Sequence, residues 1–487
     1  MRRTKIVATI GPSSSSEDVL RRMVEAGMDV ARLNFSHGTH AGHEASFRKI
    51  RKLGGKMGKP IGIVGDLQGP KMRTGDLVGA PLDLRKRGTL IITTRKIKGG
   101  DGKVSTTYRR LHQDVKSGDR ILLDDGFIEV RVLKVEDRDI HCRVVYGGKL
   151  GAHKGINLPG IKVSEPSLTR KDRDDVRFAV RLGVDYIAMS FVRQPVDITR
   201  LRNLLKKLKA DIPVIAKIEK PEALENIDDI ISVADGIMIA RGDLGVEMPP
   251  EKVPQIQKDL IGRCIKAGKP VITATQMLES MVREPTPTRA EASDIVNAIY
   301  DGTGAVMLSG ETAAGHYPVQ AVRMMARIAE EADNYVMEKR EKWFRRLGTV
   351  KSFENAIGNA TEATARHLAT RLIVCFTSSG FTAQQVSSYR PEAPIIAATH
   401  NREILPRMSL YWGVQPIRVE KAKTLDSMIT NVEQELLRRR MVRRGESIII
   451  TAGYPLGVPG TTNMMQLVRV GEHKTLALAA PDCRKRG

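Results

Sequence analysis

VIAKIEKPEALENIDDIISVADGIMIARGDLGVE, residues 214–247, is the stretch on which the fold turns. It holds two short apolar strands, each ending in charged residues, joined by a helical segment. Along the first, the two-residue period of a strand sends Lys217 and Glu219 to one side and Val214, Ala216 and Ile218 to the other. A cation and a carboxylate therefore share a face. The second, GIMIARG over 236–242, runs into Arg241, Gly242 and Asp243, so parallel pairing with the first is expected to bring Asp243 level with Glu219. Two carboxylates at adjoining strand ends beside a lysine suit a hard divalent cation such as Mg²⁺, which takes one or two protein carboxylates and leaves positions for phosphate oxygens and water. A buried Lys217–Glu219 ion pair explains the same residues without a metal. The rest of the chain decides between them.

Outward from this stretch the chain repeats a strand-then-helix rhythm. Strands are expected at 5–10, 29–36, 61–67, 185–191, 213–219, 236–242, 270–276 and 304–310. Amphipathic helices are expected at 17–26, 40–57, 170–182, 197–209, 222–233, 251–267, 288–300 and 318–341, the first opened by a capping box from Ser14 to Glu17. Eight βα units with right-handed crossovers predict an α/β fold, a (β/α)₈ TIM barrel whose working residues lie at the C-terminal strand ends. One interval breaks the rhythm. From Lys71 to Asn157 the segments TLIITT, DRILL, FIEVRVLKV and IHCRVVY alternate in the manner of β-strands, with turns such as Asp125-Gly126. This predicts a small β-barrel lid inserted in a barrel loop, where it can exclude water from the reacting groups. After EKREKWFRR a second αβ series follows: helices at 352–369, 382–390 and 424–440, and strands at 371–376, 393–399, 413–419, 446–451 and 474–480. The expected domains are therefore 1–69 and 158–345 for the barrel, 70–157 for the lid and 346–487 for an open α/β unit.

Composition narrows the function classes. The 487 residues are 41% hydrophobic and 28% charged, a globular balance too long for one core. No apolar run approaches the ~18 residues of a membrane span, and the five-residue apolar run before Gly11-Pro12 is too short for a signal peptide. The four cysteines, Cys142, Cys264, Cys375 and Cys483, form no CxxC pair and read as reduced thiols of a cytoplasmic protein. The net charge of +23 suits anionic ligands. Aromatics are only 4%, and the basic run at Arg438, Arg439, Arg440, Arg443 and Arg444 has no stacking residues between its charges, so no nucleic-acid partner is expected.

Collected at one barrel end, the strand termini crowd polar groups together. The second strand offers Arg32, Asn34 and Ser36; the third Asp66, followed by Lys71 and Arg73; the fourth Ser190; the fifth Lys217 and Glu219. The sixth adds Gly242 and Asp243, the seventh Thr273 and Thr275, and the eighth Ser309 to Thr312. Basic groups for phosphate, carboxylates for a metal and small hydroxyls fit such a face better than a stability network, because clustered polar burial is costly. There is no Walker A loop and no GxGxxG, so a nucleotide has to be held another way.

The motifs KIVATIGPSS, MDVARLNFSHG, DLQGPKMRTG, DDG, NLPG, MSFVR, IAKIE, ARGDLGVE, TATQMLESM, MLSGETAAGHYP, YRPEAPIIA and GTTN occur in an order and spacing that resembles the pyruvate kinases over essentially the whole chain. The resemblance implies transfer of the phosphoryl group of phosphoenolpyruvate to ADP, giving pyruvate and ATP, the last step of glycolysis, in a homotetramer. It implies that Glu219 and Asp243 ligate Mg²⁺ or Mn²⁺, and that Lys217 stabilises the transferring phosphoryl group and the enolate. Arg32 and Arg73 grip phosphates, Gly242, Thr275 and Ser190 serve the substrate, and Thr275 positions the water that protonates the enolate. Asn34, Phe35, Ser36, His37 and Lys154 border the nucleotide, and Asp124 or Asp125 of the lid approaches its metal, although a DDG hairpin turn explains those two equally. The family's K⁺ site maps onto Asn34, Ser36, Asp66 and the Leu67 carbonyl. Here Lys71 stands where potassium-requiring members carry glutamate, a change of two charges that predicts turnover without K⁺.

Thr377, Ser378, Ser379, Gly380 and Thr382 lie between a strand and a helix and resemble the family's loop for phosphorylated activators, while an N-capped turn accounts for the same residues. The spacing of His37, His40 and His43 suggests a metal, but steps of three carry the third histidine round a helix from the first, and no carboxylate accompanies them. Two other classes share parts of the pattern. A metal-dependent lyase on the same barrel needs neither lid nor Arg73, and a phosphate-sensing or nucleic-acid-binding protein has no need of Lys217 and Glu219.

Overall fold

Eight parallel strands close into a barrel in the computed structural model, which describes residues 2–79, 81–339, 352–455 and 460–472. The strands are Lys5–Thr9, Val30–Asn34, Gly62–Asp66, Tyr186–Met189, Val214–Ile218, Gly236–Ala240, Val271–Ala274 and Ala305–Leu308. Each pairs with its sequence neighbour, and the first closes on the eighth through Lys5 opposite Ala305. Both faces of these strands are covered, so they are buried almost without interruption. Inside, Val7, Val64, Tyr186, Ile215, Met238 and Ile272 pack in the layers of a filled barrel.

The helices follow from their caps. Thr169 caps Arg170–Leu182 and Thr288 caps Arg289–Asp301, each in a reciprocal capping box. The expected Ser14–Glu17 box is not the one that forms: Ser14 closes a 3₁₀ turn over Pro12–Ser14, and Ser16 caps Glu17–Ala26 by accepting from the Val19 N–H. The helix expected over 222–233 is broken at Asn226 into Pro221–Glu225 and Ile227–Val233. The Asn226 amide donates back to the Glu222 carbonyl and across to that of Arg193, which replaces helix bonds at the break.

The insert folds around its own core of Leu90, Ile92, Val130 and Val144. It comprises a six-stranded sheet, from Ile156–Asn157 at one edge to Lys103–Ser105 at the other, and a two-stranded ribbon of Leu82–Leu84 with Gly148–Leu150. At its root, Arg73 bridges Gly155 on antiparallel chains. The last unit is a five-stranded sheet in the order Val414–Arg418, Ile395–Thr399, Leu372–Phe376, Ser447–Ala452, Met464–Arg469. Its antiparallel edge strand Met464–Arg469 was not expected from the sequence; the strand expected at 474–480, most of EKREKWFRR and Cys483 lie outside the described residues. Cys142, Cys264 and Cys375 are buried free thiols, each pushed up to about 12 by burial.

This unit seals the barrel's N-terminal end. Leu410, 1% exposed, joins the side chains of the barrel interior. Lys5 Nζ donates to the Val414 carbonyl at 2.7 Å, and Tyr186 Oη to that of Arg407 at 2.9 Å. With that end plugged, the opposite end under the lid is the open one.

Candidate active site

At the open end a chain of ionic contacts crosses strands that are not all neighbours. Arg32, from the second strand, donates to Asp66 Oδ2 from both Nε and Nη2 at 2.6 Å, and to Thr9 Oγ1 at 3.0 Å. Register explains the meeting, because Arg32 lies opposite Thr9 on one side while Asn34 lies opposite Asp66 on the other. Lys217, from the fifth strand, reaches Ser190 Oγ at 2.6 Å, Glu219 Oε1 at 2.8 Å and Asp66 Oδ1 at 3.4 Å. Ser190 in turn donates to the Leu67 carbonyl at 2.7 Å, which keeps its oxygen aimed at the lysine.

Burial works against the charge on Lys217, but Asp66 and Glu219 outweigh it and hold the group above the ordinary lysine range, so it is an ammonium ion at neutral pH. Glu219 is displaced upward, first by burial; Lys217 opposes this and the like charge of Asp243 adds to it. Its Oε2 accepts the Phe191 N–H at 2.8 Å. Two carboxylates close enough to repel in a buried setting form a hard-oxygen donor set, so the residues present fit a divalent cation.

Asp243 reaches this place by a different route from the expected one. The sixth strand stops at Ala240, and Arg241–Glu247 is a short helix, so Asp243 lies in a first helical turn. Ile218 pairs with Ile239, which puts Glu219 level with Ala240 and not with Asp243 on the ladder. The helical turn folds Asp243 back towards Glu219. The Gly242 N–H donates to Thr275 Oγ1 at 2.7 Å, and Thr275 lies at φ +70°, a left-handed conformation that is costly for a β-branched residue. Arg241 holds it there, donating to the Thr275 carbonyl at 2.9 Å while paired with Asp294 at 2.7 Å.

The expected nucleotide border begins beside Arg32. Asn34 Oδ1 accepts the Ser36 N–H at 3.1 Å, Lys171 Nζ donates to the buried Phe35's carbonyl at 2.7 Å, and His37 is drawn below its ordinary range by burial and by Arg73, Lys71 and Arg32. Lys71 is exposed and has no ion pair within 4.0 Å among the described residues. The three histidines diverge: His40 contacts Asp175 at 2.8 Å and stacks on Phe178, and His43 contacts the His37 carbonyl at 2.8 Å. Lys154 pairs with Asp124 at 2.9 Å, and Asp124, Asp125 and Gly126 form a turn with positive φ throughout, which is the hairpin expected of DDG.

A cleft runs from Lys71 and Met72 past Asp125 and Asn157 to Phe191, Lys220 and Asp243. Sequence reasoning gave no role to Arg193 and Lys220, which line this cleft, or to Arg241 and Glu247 on the helix that carries Asp243. For Arg241 and Lys220 the available signal was a charge one or two residues beyond a strand end, at Ala240 and Ile218; Arg193 and Glu247 lie farther from theirs and carried no such signal. Far away, Thr377, Ser378, Ser379 and Thr382 line a second cavity with His400 and Lys421, and Gly380, at φ +92°, caps the helix Phe381–Ser388. Thr382 Oγ1 is already bonded to Thr462 Oγ1 at 2.9 Å.

Comparison with known proteins agrees with this layout. The family profile "Pyruvate kinase, barrel domain" matches residues 1–322, and "Pyruvate kinase, alpha/beta domain" matches 355–468. The chain is 47% identical over 474 residues to a pyruvate kinase of Staphylococcus aureus, covering 97% of this chain and 81% of that protein. It is 48% identical over 475 residues to one of Staphylococcus saprophyticus, with the same coverage. A crystal structure of a pyruvate kinase from Cryptosporidium parvum superposes with a TM-score of 0.90 at 36% identity, covering 96% of each chain.

Proposed function

The chain belongs to the pyruvate kinase family and is a phosphotransferase, and from that premise we propose how its residues move the phosphoryl group of phosphoenolpyruvate to ADP. Arg32 and Lys217 bind the phosphoryl oxygens. The Gly242–Thr275 pair holds the substrate carboxylate at the seventh strand's end, and Ser190 orients the lysine. As the bond from phosphorus to the enol oxygen breaks and the bond to the ADP oxygen forms, negative charge spreads over the phosphoryl and enolate oxygens. Lys217 meets that charge as a fixed ammonium ion, and such preorganised stabilisation is commonly worth several kcal/mol in a site closed to water. Glu219 and Asp243 would hold a divalent cation, Mg²⁺ or Mn²⁺, which when bound would supply Lewis-acid charge to the site. Thr275 positions the water that returns a proton to the enolate carbon. Asn34, Phe35, Ser36, His37, Arg73 and Lys154 border the nucleotide.

The observation that carries this reading is the buried Lys217 ammonium ion between Asp66, Glu219 and Ser190 at the one open end of the barrel. A lactate dehydrogenase-coupled assay with phosphoenolpyruvate, ADP and Mg²⁺ tests it. Pyruvate formation that depends on ADP, and that Lys217→Met or Glu219→Ala abolishes without unfolding the chain, is the expected result; ADP-independent release of pyruvate points to a lyase and ends it.

Lys71 replaces the monovalent cation in this reading. Its unpaired charge stands with Arg73 near His37, where the family's K⁺ site of Asn34, Ser36, Asp66 and Leu67 begins. We further place the domain borders at 69/70 and 157/158 and, outside the described residues, at 345/346, the activator loop at Thr377–Thr382, and the enzyme in the cytoplasm as a homotetramer. No helix among the described residues is long and apolar enough to cross a membrane.

A further inference from the structure

Glu247 ties three parts of the molecule to one atom. It closes the helix Arg241–Glu247, so the helix that presents Asp243 in its first turn carries Glu247 one turn later, on the same face. Glu247 Oε1 accepts from Lys220 Nζ at 2.5 Å and from Asn157 Nδ2 at 3.0 Å, while Oε2 is buried without a hydrogen-bond partner. Lys220 directly follows Glu219. Asn157 ends the lid's edge strand Ile156–Asn157, which also bonds to the incoming linker through Ile156 N–H and the Met72 carbonyl at 3.0 Å.

Between Asn157 and the helix starting at Arg170 the returning linker has no strand or helix, and Arg193 secures its later part by donating to the Val163 and Glu165 carbonyls at 2.6 and 2.8 Å. A buried carboxylate that accepts two donors, one of them charged, resists displacement, because losing either leaves polar atoms unpaired away from water. Lys220 and Asn157 line the same cleft as Asp243, so the contact lies against the reaction space.

We propose that Glu247, with Lys220 and Asn157, is a positioning latch that sets the lid root and the Glu219–Asp243 carboxylate pair as one unit. It rests on the reading of that pair as the metal site. When the lid root shifts, the Asn157 contact pulls on the helix that carries Asp243; when Asp243 is held, the same helix steadies the lid.

Amide hydrogen exchange of the full chain tests this, with and without Mn²⁺. Asn157→Ala removes only a half-buried amide at the lid root. The latch predicts roughly tenfold faster exchange at 154–158 and also at 241–247, a helix to which Asn157 does not belong, with the rest of the barrel unchanged. It predicts weaker Mn²⁺ binding, by roughly fivefold in titration, although Asn157 is no ligand. Lys220→Arg retains wild-type exchange, and Lys220→Met combined with Asn157→Ala costs less than the two separately. Unchanged exchange at 241–247 in Asn157→Ala, a uniform rise across the barrel, or unchanged Mn²⁺ affinity overturns it. A wild-type chain that makes no pyruvate sinks the proposed function instead and leaves the exchange result standing.

Discussion

Asp66 and Lys217 meet 3.4 Å apart inside the barrel mouth although the fourth strand lies between theirs. The same carboxylate holds Arg32 through its other oxygen, so one buried anion keeps two cations side by side. Without it they repel.

Asp66→Asn therefore leaves Arg32 and Lys217 facing a neutral amide. The expected outcome is a drop in kcat/KM for phosphoenolpyruvate of roughly a hundredfold or more, with the far-UV dichroism retained. Near-wild-type kinetics would show that Asp66 serves stability alone.

Potassium is the second test. Asp66 Oδ1 accepts no hydrogen bond and has only the Lys217 ammonium group 3.4 Å away, so it is an oxygen a monovalent cation would seek, while in the proposed reading Lys71 opposes such a cation by its charge. Turnover in potassium-free buffer should match that in KCl within about twofold. Negligible turnover restored by KCl refutes the role given to Lys71.

The domains should not unfold independently. Leu410 is a side chain of the last unit packed inside the barrel, so Leu410→Ala is expected to cost about 2–5 kcal/mol and to split a single thermal transition into two. A shift below about 0.5 kcal/mol means the cavity refills and the plug contributes little.

Asp185 gives stability a pH dependence. Burial pushes this carboxyl up to about 6, against the guanidinium of Arg51 at 2.8 Å and the Ile63 N–H at 2.7 Å. Between its unfolded value near 4 and 6 the folded chain binds the extra proton, so this group's contribution falls as pH rises through that window, by about 3 kcal/mol in all. The difference in denaturant stability between wild type and Asp185→Asn should follow that slope between pH 4 and 6. A flat difference, or one of opposite sign, excludes it.

Several parts of the site were legible because they depend on local pattern. Lys217 and Glu219 share a face by strand period alone, and Arg32 with Asn34 does the same, so their placement needed only the barrel. Asp243 illustrates the limit. The strand reading carried through Arg241 and Gly242, yet the chain turns helical at Arg241, where that guanidinium finds Asp294 and the carbonyl of Thr275 from elsewhere in the fold. The lid's existence showed in its alternation; its tie to Glu247 did not, because nothing local links Asn157 to a carboxylate 90 positions away.

By itself the sequence determined the architecture and the chemistry on offer. Unbroken apolar strands covered by capped amphipathic helices close into this barrel, and polar residues at their C-terminal ends gather at its rim, because period and burial act within a few residues. Tertiary structure alone decided which partner each charge takes: Asp66 with both Arg32 and Lys217, Glu247 with Lys220 and Asn157, Leu410 inside another unit's core. Those pairings come from register, turn geometry and docking, which balance contacts between distant segments and leave no period in the chain.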